Sequence, residues 1–148
     1  MPKKINVVLK INQKNMMDYY PLLCSIEKEN ITVVKLLMKY TKENEITLES
    51  NKKAKDGNYP ILSAINSNNY KMVKLLMDYA KENGISLELK GRDKNGNSPL
   101  LCAINKFNID IVKLIMEYAE KNSITLEVKK IRMPNIHYYY VPSIVVQI

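Results

Sequence analysis

Three prolines, Pro21, Pro60 and Pro99, stand 39 residues apart and fix the register of the whole chain. Around them the sequence repeats itself: Tyr20–Ile26 reads YPLLCSI, Tyr59–Ile65 YPILSAI and Ser98–Ile104 SPLLCAI. Asn30, Asn69 and Asn108 follow at a constant interval, then the runs VVKLLMKY, MVKLLMDY and IVKLIMEY. Between Gly57–Lys90 and Gly96–Lys129, 19 of 34 positions are identical. A period of this size marks a unit that cannot bury its apolar face alone and must stack on copies of itself. The register runs further. Val7 with Leu9, Ile46 with Leu48, Ile85 with Leu87 and Ile124 with Leu126 are the same apolar-x-apolar segment, so that segment occurs four times and the helical part three times. The chain opens in mid-unit.

Each unit can be read from elementary preferences. Proline suits the first turn of a helix, where its missing N–H is not needed, which predicts short helices at 21–28, 60–67 and 99–106. Asn30, Asn69 and Asn108 are good N-caps for a second helix. That helix is expected to run to Glu43, Glu82 and Lys121, with Asn44, Asn83 and Asn122 at its C-terminal cap. Its apolar positions in the first unit, Val33, Val34, Leu36, Leu37, Met38 and Tyr40, make a stripe wide enough to touch a partner helix and both neighbouring units. Segments 46–48, 85–87 and 124–126 alternate like short extended pieces. Asp56-Gly57 and Asn95-Gly96 signal turns. The expectation is one all-α repeat domain over 1–148: units at 18–56, 57–95 and 96–134, a partial unit at 1–17 and a divergent tail at 135–148.

The order of turn, Pro-Leu helix, small linker and longer helix ending in Leu-Leu resembles the ankyrin repeat over residues 18–128. That family's Thr-Pro-Leu-His tetrapeptide corresponds to Tyr20-Pro21-Leu22-Leu23, Tyr59-Pro60-Ile61-Leu62 and Ser98-Pro99-Leu100-Leu101. Its paired alanines correspond to Ser25-Ile26, Ala64-Ile65 and Ala103-Ile104, and its Val-x-x-Leu-Leu run survives around Val34, Val73 and Val112. Two departures stand out. The histidine is missing from every unit, so its bonds to the turn backbone must be replaced or lost. The period is 39 rather than 33, and the extra residues follow the second helix. The resemblance implies a solenoid of helix-turn-helix units with short extended segments, whose turns project as fingers along one edge of a binding face.

Catalysis is excluded by inventory. His137 is the only histidine, no Cys or Ser has a partner base, and four glycines make no phosphate loop. One histidine holds no metal, and no cofactor is expected. Cys24 and Cys102 lie two units apart, about 20 Å for helices stacked at ~10 Å. That is too far for a disulfide, and both are expected to be small buried core residues. Tyr40, Tyr79 and Tyr118 form a ladder, read as core packing with hydroxyls at the rim. No charge-free stretch reaches the ~20 apolar residues that span a bilayer, and the start is too charged for a secretory signal. The expected compartment is intracellular, the cytoplasm.

The formal charge is +8, from 21 Lys and only 2 Arg among 148 residues. An AT-rich genome would also favour Lys, Asn, Ile and Tyr. The cations nevertheless cluster in the turns: Lys52, Lys53 and Lys55; Lys90, Arg92 and Lys94; Lys129, Lys130 and Arg132. Lined up, they would attract an acidic protein surface or a phosphate backbone; unselected, they are a solvated loop row. Nucleic acid is disfavoured because these loops lack stacking aromatics and Arg forks. The first helices add Glu27, Lys28, Asn66, Ser67, Asn105 and Lys106 as partner-facing candidates. The expected function is non-catalytic protein binding through turn tips and first helices. Electrostatic binding of nucleic acid or an acidic membrane surface, and a structural spacer in a longer repeat protein, are the alternatives. In the tail, Tyr138-Tyr139-Tyr140-Val141-Pro142 replaces the fourth Pro-Leu helix. It is either an unusual cap or part of a longer array, and the mid-unit start favours the second.

Overall fold

The computed structural model describes residues 8–126. Val7, Lys129, Lys130, Arg132, His137 and the 135–148 tail lie outside the described residues. Six helices occur in three pairs: α1 (Pro21–Glu27) with α2 (Ile31–Glu43), α3 (Pro60–Asn66) with α4 (Tyr70–Glu82), and α5 (Pro99–Asn105) with α6 (Ile109–Lys121). Among the described residues there is no strand, and the apolar-x-apolar segments at 46–48, 85–87 and 124–126 run free of sheet pairing. The short helices α1, α3 and α5 pack in one row, and α2, α4 and α6 lie behind them.

Local chemistry explains the bounds. A proline opens each short helix. Each longer helix is capped by the predicted asparagine, whose Oδ1 accepts from the N–H of Val33, Met72 or Ile111. Between the helices of a pair the chain passes through a left-handed residue, Glu29, Asn68 or Phe107, each at φ 54°. The longer helices end on Asn44, Asn83 and Asn122, whose side-chain amides donate back to the carbonyls of Tyr40, Tyr79 and Tyr118.

The core is one continuous apolar stripe along the stack. Leu22, Leu23, Ile26, Ile61, Leu62, Ile65, Val73, Leu76, Ile111 and Ile115 are buried in it. The second and third units each follow a complete helix pair, whereas the first follows only the helix-free stretch 8–19. So Met72 and Ile111 are buried while Val33, in the same register, is exposed. Truncating a fully buried member such as Leu62 removes about 2–5 kcal/mol.

The residues beyond the ordinary repeat length have a specific use. The Asn12 side chain brackets the segment after α2, donating to Thr47 O (2.8 Å) and accepting from Glu49 N (3.0 Å). Asn51, 39 positions on, does the same to Ser86 O (2.8 Å) and Glu88 N (2.9 Å). An amide side chain thus supplies the donor and acceptor that a neighbouring strand would otherwise provide. Lys90 occupies the next rung. The tyrosine ladder closes the other flank: Tyr40 Oη accepts from Leu9 N and Tyr118 Oη from Leu87 N. Tyr79 instead meets the Thr41 hydroxyl at 3.5 Å. These hydroxyls end on the preceding unit.

Candidate functional site

The turns form a row of fingers, and the first lies earlier than the sequence reading placed it. Residues 15–19, 54–58 and 93–97 close the same hairpin-like turn, with Asn15 N, Ala54 N and Asp93 N donating to Tyr19 O, Asn58 O and Asn97 O. Asp18, Gly57 and Gly96 take the left-handed position in each. Side-chain carbonyl or carboxylate oxygens hold the turns: Asn15 accepts from Met17 N and Tyr19 N, Asp56 from Asn58 N, and Asp93 from Asn95 N and Asn97 N. These bonds replace the histidine missing from the Pro-Leu segments, whose place is taken by buried Leu23, Leu62 and Leu101.

Between the fingers and the C-terminal ends of the short helices runs a polar groove of about 400 Å³. Asp56, Asp93, Asn66, Asn105, Lys94 and Lys106 line it, with Asn58, Asn97 and Cys102. Partial burial alone would raise the Asp56 carboxyl, but bonds from Tyr19 and Asn58 outweigh it and hold the group below the usual carboxylate value. Asp93 is likewise lowered, burial being outweighed by bonds from Asn97, Asn95 and Cys102. Both carboxylates are therefore ionised at neutral pH. At the N-terminal end the Tyr19 hydroxyl donates to Asp56 with Glu27 also within 2.9 Å, and Asn58 Nδ2 donates to Glu27. The groove thus combines fixed negative groups, amides and mobile ammonium groups, a lining suited to a peptide backbone and its polar side chains.

The anticipated cations separate into two sets. Lys94 and Lys106 face the groove, and Lys28 and Lys90 are exposed. The others are engaged within the fold. Lys52 pairs with Glu49 at 3.8 Å, Lys53 Nζ lies 5.3 Å from the centre of the Tyr59 ring, Lys55 Nζ donates to Met16 O and Arg92 donates to Gly96 O. Lys129, Lys130 and Arg132 lie outside the described residues. Of the short-helix candidates, Asn66, Asn105 and Lys106 line the groove, Glu27 sits at its end and Ser67 is half-buried. Sequence reasoning missed Asp56 and Asp93 as groove members, and the first finger altogether. Its tip carries Met16, 90% exposed, where the later fingers carry Lys55 and Lys94.

The family model for ankyrin repeats, in 3 copies, matches residues 22–125. The chain belongs to the ankyrin-repeat family. No curated protein sequence matches it. Ankyrin repeats are in general protein–protein interaction modules and are typically non-catalytic. No metal-holding group of His, Cys, Asp and Glu occurs among the described residues of this ankyrin-repeat chain, and no helix among them is long and apolar enough to cross a membrane.

One expectation is corrected. Cys102 is buried, and burial together with nearby Asp93 pushes its thiol up to about 12. Cys24, in the same register, is exposed. Cys102 has the second helix pair before it, and Cys24 has only the partial N-terminal segment before it. Both are free thiols.

Proposed function

We propose that this ankyrin stack is a non-catalytic binding module that holds a segment of another protein along the groove between its fingers and short helices. Asn66 and Asn105 supply amides to the partner's backbone. Lys94, Lys106 and the finger cations Lys53, Lys55 and Arg92 attract its acidic side chains, while Asp56 and Asp93 set the position of any basic one. The observation that carries this reading is the convergence of Lys94, Lys106, Asn66 and Asn105 on one open groove.

The engaged state of Lys53, Lys55 and Arg92 decides how to test it, because reversing them would disturb the fingers as well as the charge. The cleaner pair is Lys94→Glu with Lys106→Glu, compared with Lys35→Glu and Lys113→Glu on the exposed backs of the longer helices. Linear peptides selected from a random display library against the full chain should be enriched in Asp and Glu. They should lose at least about tenfold in affinity (~1.4 kcal/mol) on the groove pair and little on the back pair at physiological salt. Equal losses from the two pairs, or selected peptides without acidic enrichment, would refute the groove as the binding face.

A further inference from the structure

At the C-terminal end of the described stack the third unit presents an apolar face that the other two keep covered. Ile104 is 39% exposed, whereas Ile26 and Ile65, in the same register, are 1% and 0% exposed. Met116 is 39% exposed against 8% for Met38 and 6% for Met77. Ile109 is exposed beside them. Phe107, at 91%, projects from the left-handed residue between α5 and α6. In the previous unit the equivalent residue is Asn68, whose Oδ1 accepts from Asn108 Nδ2 across the unit boundary at 2.8 Å. The side chain at this position therefore reaches toward the following unit. Here it is a phenyl ring, held in a backbone region that bulky residues rarely adopt.

We propose that the chain's own residues 133–148 cover this face, with Tyr138, Tyr139 and Tyr140 seated against Ile104 and Phe107. Three observations select this occupant. The segment follows closely on Leu126, the last described residue, so its local concentration at the face far exceeds that of a second molecule. It contains no Lys, Arg, Asp or Glu from Met133 to Ile148, and it is rich in Tyr, Ile and Val. In the 39-residue register, Tyr138–Ile144 is the sequence equivalent of Pro99–Asn105, the α5 segment, one unit on. Pro142 within that span disfavours a fourth short helix, so the cover is made by side chains rather than by another repeat. The other end of the molecule already works this way. The helix-free stretch 8–19 lies over the first unit with Ile11 buried, the Asn12 bracket made and the Leu9 N–H bonded to Tyr40.

Two measurements on the full chain test this. In the first, p-benzoylphenylalanine replaces Phe107 and is photo-activated. Cross-links within the chain to residues 133–148, in a yield independent of protein concentration, are expected. Cross-links only between chains would show that a second copy is the occupant, and absence of any link to 133–148 would likewise overturn the proposal. The second is the peroxide oxidation rate of Met116, with the freely exposed Met16 as internal reference. Left uncovered, Met116 should oxidise only about twofold more slowly than Met16, as their exposures imply; covered, it should be more than about tenfold slower. Changing Tyr138→Ser, Tyr139→Ser and Tyr140→Ser together should raise the Met116 rate toward the uncovered value with helical content unchanged. A twofold ratio in the unmodified chain, or a Met116 rate indifferent to the three tyrosines in a chain that keeps its helices, overturns the proposal. If the triple variant loses its helices, the cross-link and the unmodified ratio decide.

Discussion

Replacing Asn51 by alanine removes one rung of the side-chain ladder that ties successive units together. Two hydrogen bonds go, Nδ2 to Ser86 O at 2.8 Å and Glu88 N to Oδ1 at 2.9 Å. A neutral bond contributes about 0.5–1.5 kcal/mol net, so the pair is worth about 2 kcal/mol. The two orphaned groups differ. Ser86 is exposed and its carbonyl regains water, whereas Glu88 is half-buried and its N–H regains less. The expected loss is therefore about 2 kcal/mol, or roughly 4–8 °C in melting temperature for a chain of this length. Asn51→Asp separates the two contacts. It keeps the acceptor for Glu88 N but sets a carboxylate against the Ser86 carbonyl, and it should cost more than alanine at neutral pH. Asn95→Ala is the control: Asn95 is exposed, and the bond it makes is through its backbone N–H, which alanine keeps. Urea unfolding followed by circular dichroism is the assay. If Asn51→Ala falls within about 0.5 kcal/mol of Asn95→Ala, the ladder does not hold the units together and the reasoning fails.

Three further outcomes are expected. The lowered Asp93 carboxyl stabilises the fold fully above its unfolded value, near 3.9, and that contribution is lost as pH falls through the folded value. Asp93→Asn should thus be less stable than the parent at pH 7 by no more than about 1.5 kcal/mol, since Asn15 holds the first finger as an amide, and the gap should close in urea titrations below about pH 4. A Cβ at Gly91 would lie 2.6 Å from the Tyr59 hydroxyl, which is buried without a hydrogen-bond partner among the described residues. Gly91→Ala should therefore cost about 1–3 kcal/mol by thermal melting, and Tyr59→Phe should be near neutral alone and recover part of that loss in the double variant. At pH 8 Cys24 should react with a thiol reagent at least about a hundredfold faster than Cys102, whose thiol stays protonated; comparable rates would mean that the third unit opens readily.

The register, the helix bounds and the asparagine caps were legible because proline, asparagine and the apolar stripe each act through local preferences that recur three times. Features that depend on two units meeting were not. Asn12 and Asn51 look like loop polar residues, and the pattern that would expose them breaks at Lys90. The first finger was hidden because Asp18 fills the left-handed position that glycine marks in the other two, and because Met16-Met17 does not look like a turn. The burial of Cys102 and exposure of Cys24 follow from what stands before each unit, not from the residues around the thiols. In the turns, the cations were visible as a cluster, but the Met16 carbonyl and the Tyr59 ring that engage Lys55 and Lys53 come from elsewhere in the chain.

Bonds across a unit boundary join residues 31 to 40 positions apart: 31 for Leu9 with Tyr40, 37 for Asn12 with Glu49, 38 for Thr41 with Tyr79, 39 for Lys55 with Met16 and 40 for Asn108 with Asn68. A chain wired in this way can change length in heredity only by whole steps. Excision or duplication of 39 residues keeps the backbone donors and acceptors of the surviving units in register. Loss of six from one unit, enough to restore there the shorter period of the family at large, would put the partners that span it out of step at once.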